Sequence, residues 1–96
     1  MKYDIHNVNA KDRDRLVLSK GHAGVALYWV MCEAGLMNAD ELDTFLQPGS
    51  RVGGEPCMRD LPGIEASTGS LGHGLSMAVG MAMAQKLDQN DARTFV

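Results

Sequence analysis

Apolar residues are concentrated in two segments of the chain, one from 23 to 32 and the other from 75 to 84. The first is almost continuously apolar and reads Ala-Gly-Val-Ala-Leu-Tyr-Trp-Val-Met-Cys. A helix that is apolar around its whole circumference is normally buried on every side. The remaining residues of a 96-residue chain cannot cover two such helices, so we expect further chain, a partner subunit, or both.

Helix start and stop signals divide this pattern into elements. The first helix is predicted over 23–34, with Gly35 as its C-terminal stop. Asn38, with Glu41 three residues later, has the spacing of an N-terminal capping box and predicts a second helix over 39–46. The apolar residues of this second helix should share one face: Leu42, Phe45 and Leu46.

The rest of the chain predicts a third helix, two short strands and a long loop. The third helix is expected over 70–86, with small residues four apart on one face: Ser76, Gly80 and Ala84. Segments 15–18 and 93–96 are typical of short strands, and the polar residues 1–14 of a surface segment. Residues 47–69 contain three prolines and five glycines without helical or strand periodicity, which predicts an irregular loop. Loops of that length are usually functional or disordered, and the apolar residues in this one argue against disorder.

Composition and charge narrow the class of protein. The formal net charge is −3 and the basic residues are scattered, so nothing indicates nucleic-acid binding. No apolar run approaches the length needed to span a bilayer, and the first residues lack a signal segment. The two cysteines do not form a secreted-type disulfide framework, which favours a reduced, cytoplasmic setting. The pattern indicates one small soluble domain.

Two glycine-histidine turns are the strongest chemical signal in the chain. Ser19-Lys-Gly-His-Ala-Gly24 precedes the first helix, and Thr68-Gly-Ser-Leu-Gly-His-Gly-Leu-Ser76 opens the third. Glycine permits tight turns and close approach of a ligand to the backbone. His22 could bind a phosphate or a developing alkoxide near a helix N-terminus, or could be a cap or a packed side chain. His73 is more simply a packing residue.

The remaining candidates are weaker. The loop from 69 to 74 suggests phosphate binding at a helix N-terminus, but it lacks the Walker ending and does not clearly follow a strand. The histidines and cysteines have no zinc spacing, so no metal site is predicted. Glu55 and Glu65 could do acid–base chemistry, although nothing in their spacing demands it. Cys57 has no identifiable base partner.

Taken together, the motifs resemble the N-terminal, diphosphate-binding region of transketolases, most closely the split form made of separate N- and C-terminal subunits. The resembling stretches cover nearly the whole chain and include Asp12-Arg-Asp-Arg-Leu-Val-Leu-Ser-Lys-Gly-His22, Gly49-Ser-Arg51, and Pro62-Gly-Ile-Glu-Ala-Ser-Thr-Gly-Ser-Leu-Gly-His-Gly-Leu-Ser-Met-Ala-Val-Gly-Met-Ala82. The resemblance implies an α/β fold: residues 1–96 would be part of a thiamine diphosphate-binding domain with a parallel sheet, mostly helical within this stretch.

The resemblance also implies a reaction, a cofactor and site residues. The reaction is transfer of a two-carbon ketol unit from a ketose phosphate to an aldose phosphate, for which thiamine diphosphate supplies the carbanion chemistry and the protein the placement. The histidine matching His22 lies beside the diphosphate and the reacting centre, as a catalytic and cofactor-binding residue. Gly69, Ser70 and Leu71 match the loop that meets the aminopyrimidine through backbone groups and an apolar contact. This differs from the phosphate role suggested by the glycine pattern alone.

Three departures from the family pattern affect these expectations. Glu55 stands in Gly54-Glu-Pro56 where the family usually has a histidine near the donor hydroxyls, so Glu55 is a substrate-binding candidate that changes donor specificity. His73 stands where glutamine is common. The Gly-Asp-Gly motif that holds Mg²⁺ and the diphosphate should begin just after Val96, so we expect the Mg²⁺ ligands and the cofactor-activating glutamate outside this chain.

Three functions therefore remain open at this stage. The leading hypothesis is part of a transketolase that assembles with a C-terminal subunit or domain as a homo- or hetero-oligomer, binds sugar phosphates, and is inactive as this chain alone. The second is a related thiamine diphosphate enzyme with another carbonyl donor. The third is a truncated, non-catalytic interaction segment.

Overall fold

The computed structural model describes all 96 residues and shows helices built around a small parallel sheet. The elements in chain order are β1 (Arg15–Leu16), a 3₁₀ turn (Gly21–Ala23), α1 (Gly24–Glu33), α2 (Ala39–Leu42), α3 (His73–Leu87) and β2 (Thr94–Phe95). The two strands pair in parallel, with Arg15 opposite Thr94. Parallel neighbours need a long crossover, and the three helices with the intervening loop provide it. The predicted α/β class is confirmed.

Helix α1 ends at the predicted glycine. Gly35 has φ of 76°, a left-handed conformation that glycine adopts without a side-chain clash. Its N–H donates to the carbonyl of Cys32, and the N–H of Leu36 donates to that of Met31, both at 2.9 Å. This pair of bonds is the Schellman motif, which satisfies carbonyls that the helix end would leave free.

Helix α2 is shorter than predicted, and its capping box does not form. Asn38 occupies the N-cap position, but its side chain makes no cap hydrogen bond. The carboxylate of Glu41 instead contacts Nη2 of Arg51 at 2.6 Å. The hydroxyl of Thr44 donates back to the carbonyl of Glu41 at 2.7 Å, a local bond that competes with helix continuation. Leu46 then adopts φ of 61° and is exposed, so it does not share the apolar face predicted for it.

Helix α3 begins three residues later than predicted. Gly72 has φ of 90°, which interrupts helical geometry before His73. Residues 70–72 therefore form a turn ahead of the helix rather than its first turn.

The long loop from 47 to 69 is irregular, as predicted, and contributes much of the core. The larger apolar cluster packs α1 against this loop and consists of Tyr28, Met31, Met37, Val52, Leu61 and Ile64. A smaller cluster joins β1 to α3 through Val17, Ala66 and Ala78. The apolar residues of the loop are thus ordered by burial, although Met58 stays exposed.

The N-terminal segment is not wholly a surface segment, because Arg13 and Asp14 are buried. The carboxylate of Asp14 accepts hydrogen bonds from the backbone N–H of Lys2 at 2.6 Å and of Arg93 at 2.8 Å. The guanidinium of Arg13 pairs with Glu65 and lies over the ring of Tyr3. Sequence patterning marked these charges as solvated because their partners are distant in the chain.

Both apolar helices present large side chains to solvent within this chain. Trp29 of α1 is 60% exposed, and Met83 of α3 is 61% exposed. Val25, Val30, Leu75 and Val79 are exposed as well. Complete burial of these helices is therefore not reached by the 96 residues themselves. None of the helices has the length and apolar character needed to cross a membrane.

Candidate functional site

Three turns that are far apart in the sequence pack together around glycine backbones. They are 19–24 before α1, 53–56 in the long loop and 68–74 before and into α3. A Cβ added to Gly21 would lie 2.5 Å from the carbonyl oxygen of Thr68, and one added to Gly24 would lie 3.1 Å from Cδ of Pro56. A Cβ on Gly74 would overlap the backbone of Ser19. At Gly21 and Gly74 the contact is thus backbone against backbone, which only glycine allows.

The turn that carries Glu55 is held by buried neighbours on both sides. The hydroxyl of Tyr28 donates to the carbonyl of Gly53 at 3.0 Å, and burial raises the pKa of Tyr28, so the donor proton is retained. Pro56 is buried, and its carbonyl accepts the N–H of Thr68 at 3.2 Å. A residue before proline is also restricted to extended backbone conformations. The backbone of Glu55 is therefore fixed although its side chain reaches solvent.

The carboxylate of Glu55 faces both glycine-histidine turns. Its Oε1 lies 3.4 Å from Nε2 of His22. The same carboxylate covers Gly69, where an added Cβ would overlap it. The side chains of His22 and Glu55 are 61% and 49% exposed, so a ligand can reach both. The structure thus brings together three of the residues singled out in the sequence.

The loop from 69 to 71 offers free hydrogen-bond donors beside this pair. The backbone N–H groups of Gly69, Ser70 and Leu71 donate to no acceptor in the chain. Leu71 is also 69% exposed, which leaves an apolar side chain next to these polar groups. Free N–H donors, an apolar contact and an imidazole fit a ligand that carries both a heteroaromatic ring and anionic groups. These groups are compatible with the thiamine diphosphate that the resemblance to transketolases implies.

Thr68 lies next to the site, against Gly21, and sequence reasoning did not single it out. It is buried, yet its hydroxyl has no hydrogen-bond partner, which is unusual for a buried polar group. The one available signal was its position directly before Gly69 in the glycine-rich motif.

Other candidates lie outside this arrangement. Glu65 is buried between the guanidinium groups of Arg13 and Arg15, so it is held in ion pairs and not free to act as an acid–base partner of Glu55. His73 is exposed in this chain, contrary to the packing role predicted for it, and its N–H donates to the carbonyl of Ser70. The cysteines are unbridged, and no three potential metal ligands cluster.

Comparison with known proteins identifies the family of the chain. Residues 1–94 match the family described as transketolase, thiamine diphosphate binding domain. The chain is 49% identical over 84 residues to a subunit of the apulose-4-phosphate transketolase of Phocaeicola vulgatus, covering 88% of this chain and 30% of that protein. It is also 49% identical over 88 residues to the SqwG subunit of the 6-deoxy-6-sulfo-D-fructose transketolase of a Clostridium species, covering 92% of this chain and 32% of that protein. The chain thus spans about a third of the length of these relatives.

Solved structures give the same result for the fold. A transketolase variant from Pichia stipitis superposes with a TM-score of 0.91 at 34% identity, covering 98% of this chain and 16% of that one. The transketolase of the same species in complex with sedoheptulose-7-phosphate superposes with a TM-score of 0.85 at 40% identity, covering 88% of this chain and 13% of that one. The chain therefore belongs to the transketolase thiamine diphosphate-binding domain family, and among its relatives are subunits of split transketolases.

Proposed function

We propose that the chain is part of a transketolase that moves a two-carbon ketol unit from a ketose phosphate to an aldose phosphate with thiamine diphosphate. The observation that carries this proposal is the convergence of His22 with the free N–H groups of 69–71 at one accessible site. Family membership and the names of the relatives support the same reaction class.

The resemblance to transketolases implies a role for each site residue. The N–H groups of Gly69, Ser70 and Leu71 would hold the cofactor's aminopyrimidine, and the Leu71 side chain would supply an apolar contact to it. His22, whose side chain is largely exposed, donates from its imidazole to anionic or developing alkoxide oxygens. The bound cofactor supplies carbanion stabilisation. The glycine contacts between the three turns hold these groups at fixed positions relative to one another, and catalysis by positioning requires such fixed geometry.

The proposal includes partners that lie outside the 96 residues. Relatives named as transketolase subunits support assembly with a C-terminal transketolase subunit or domain, in a homo- or hetero-oligomer. The exposed apolar faces of α1 and α3 are consistent with burial against such a subunit or domain. We also propose that Mg²⁺ is held by residues not in this chain, because no suitable ligand cluster is present here. The proposed location is the cytoplasm.

A second candidate is a related thiamine diphosphate enzyme that uses a different carbonyl donor. Glu55 favours it, because a carboxylate beside His22 changes which donor groups the site accepts. The two relatives at 49% identity are named for apulose-4-phosphate and 6-deoxy-6-sulfo-D-fructose. A panel of ketose phosphates and sulfonates assayed with common aldose acceptors separates the candidates. Normal turnover of ketose phosphates with Glu55 intact would remove the second.

The first experiment is calorimetric titration with thiamine diphosphate and Mg²⁺, first of this chain alone and then of a longer chain that includes the diphosphate motif, together with a matching C-terminal subunit. Binding that requires the longer chain or the partner supports the proposal, while no binding under either condition contradicts it. His22→Asn should lower turnover of the assembled enzyme by about two orders of magnitude, the loss typical of a proton-transfer group. His6→Asn, which alters an exposed histidine in the N-terminal segment, is the matched control.

A further inference from the structure

Glu55 brings a carboxylate into the site with a single basic neighbour. His22 is the only basic side chain within 4.0 Å of its carboxylate, and no lysine or arginine pairs with it. By contrast, the buried Glu65 is held by two arginines. Because the Glu55 side chain is 49% exposed, its remaining lone pairs face solvent and any ligand in the site.

The position of this carboxylate is built into the fold. Its backbone is fixed by the Tyr28 hydroxyl on Gly53 and by the buried Pro56. The side chain is accommodated because residue 69 has no Cβ. The carboxylate lies beside His22 in the space that the missing Cβ of Gly69 leaves open. Glu55 therefore brings a negative charge to the site.

We propose that Glu55 determines the class of donor, and this inference rests on the proposed function above. The carboxylate accepts hydrogen bonds from the hydroxyl groups of a neutral ketol and repels a donor that carries an anionic group next to its reacting carbonyl. Ketoses whose phosphate or other anionic group lies at the far end of the sugar are accepted. Short 2-keto acids are disfavoured.

The magnitude of this selection follows from Coulomb's law. Two unit charges roughly 6 Å apart in a partly exposed site, at an effective dielectric constant of about 40, repel enough to change a rate ratio about tenfold. The effect is electrostatic between accessible groups, so added salt should weaken it. A change in the donor rate ratio caused by a lost hydrogen bond or by a changed side-chain shape would not depend on salt in this way.

The test uses the assembled enzyme with two donors, hydroxypyruvate as the anionic ketol and erythrulose as the neutral one. Glu55→Gln keeps the shape and an acceptor oxygen but removes the charge. It should raise the ratio of kcat/KM for hydroxypyruvate to that for erythrulose about tenfold. Glu55→Asp, which keeps the charge, should retain the original preference. Raising the salt from roughly 0.05 M to 0.5 M should move the unmodified enzyme toward the Glu55→Gln ratio.

The control is Glu33→Gln, which removes one negative charge from the exposed last residue of α1, about 13 Å along the helix from the site. Its donor ratio should stay within about twofold of the unmodified enzyme, because two exposed charges about 13 Å apart interact only weakly through water. An unchanged ratio in Glu55→Gln overturns the inference alone. Absence of turnover with both donors and with a panel of ketose phosphates in the unmodified enzyme overturns the proposed function and the inference with it.

Calorimetry provides a readout that does not depend on turnover. If Glu55 faces the donor, its carboxylate lies farther from the diphosphate than from the donor. The Kd for thiamine diphosphate should therefore change by less than about tenfold in Glu55→Gln. A larger change would place the carboxylate at the cofactor and overturn the inference.

Discussion

The Cα of Gly21 packs directly against the peptide that joins Thr68 to Gly69. A Cβ at Gly21 would lie 2.5 Å from the carbonyl oxygen of Thr68 and 2.7 Å from the nitrogen of Gly69. These residues are 47 or more positions apart in the sequence. This contact joins the turn that carries His22 to the loop that carries the free N–H donors, so the two halves of the site share one backbone interface.

Gly21→Ala should therefore destabilise the protein. The clashing atoms belong to backbone that cannot rotate away, so one turn must move, at a cost of about 1–3 kcal/mol. Thermal or denaturant unfolding of the assembled protein measures this. Gly80→Ala is the control, because nothing lies within 4 Å of a Cβ there and alanine in a helix is favoured over glycine by roughly 0.5–1 kcal/mol. Equal stabilities of the two variants would contradict the packing argument.

Gly69→Ala should behave differently from Gly21→Ala. The atoms that a Cβ would meet at Gly69 are the end of the Glu55 side chain, which can rotate toward solvent. We expect a stability loss below about 1 kcal/mol, close to that of an ordinary surface substitution. The carboxylate would leave His22, so the donor preference should shift in the same direction as in Glu55→Gln. A stability loss as large as that of Gly21→Ala would show that Glu55 cannot move.

Glu65→Gln should be strongly destabilising. Glu65 and Arg13 have side chains 7% and 5% exposed, and the substitution leaves the buried guanidinium without its counter-charge. Breaking a buried pair from one side costs about 3–5 kcal/mol. Glu41→Gln removes one partner of the more exposed pair with Arg51 and should cost less than about 1 kcal/mol. Denaturant unfolding curves of the assembled protein compare the two, and similar losses would contradict the structural role of Glu65.

Because of Asp14, the stability of the folded protein should decrease at acidic pH. Hydrogen bonds from the backbone N–H groups of Arg93 and Lys2 hold the pKa of this carboxyl below its ordinary value of 3.8. A carboxyl whose folded-state pKa is lowered stabilises fully above its unfolded pKa, and this stability is lost as pH falls through the folded value. The free energy of unfolding of the assembled protein, measured from pH 6 down to roughly pH 2, should fall below about pH 4, and this fall should be smaller in Asp14→Asn. Asp40→Asn, an exposed control, should keep the fall.

The isolated chain should expose enough apolar surface to bind a hydrophobic dye such as anilinonaphthalene sulfonate. Trp29 on α1 and Met83 on α3 are more than half exposed, among several other large apolar residues on both helices. Contiguous exposed apolar patches mark interaction sites. Dye fluorescence should fall when a matching C-terminal subunit is added, and the isolated chain should lack a cooperative thermal transition. A sharp transition without the partner would contradict this prediction.

Local sequence was enough to locate most secondary structure. The end of α1 follows from Gly35, because a left-handed residue there is a property of glycine itself. The irregular loop follows from its prolines and glycines. Prediction failed where a competing contact was decisive. Helix α2 stops early because Thr44 bonds back to its own helix and Glu41 binds Arg51 instead of completing a cap.

The sequence by itself determined the family, the helical segments and the presence of two glycine-histidine turns, because motif order and local backbone preference are encoded by neighbouring residues. Only the tertiary structure decided that Glu55 lies beside His22 and over Gly69, that Thr68 keeps an unpartnered hydroxyl, and that Glu65 is held in ion pairs. Each of these depends on contacts between residues distant in the chain. Spacing cannot reveal them, since the through-space distance exists only once the core has packed.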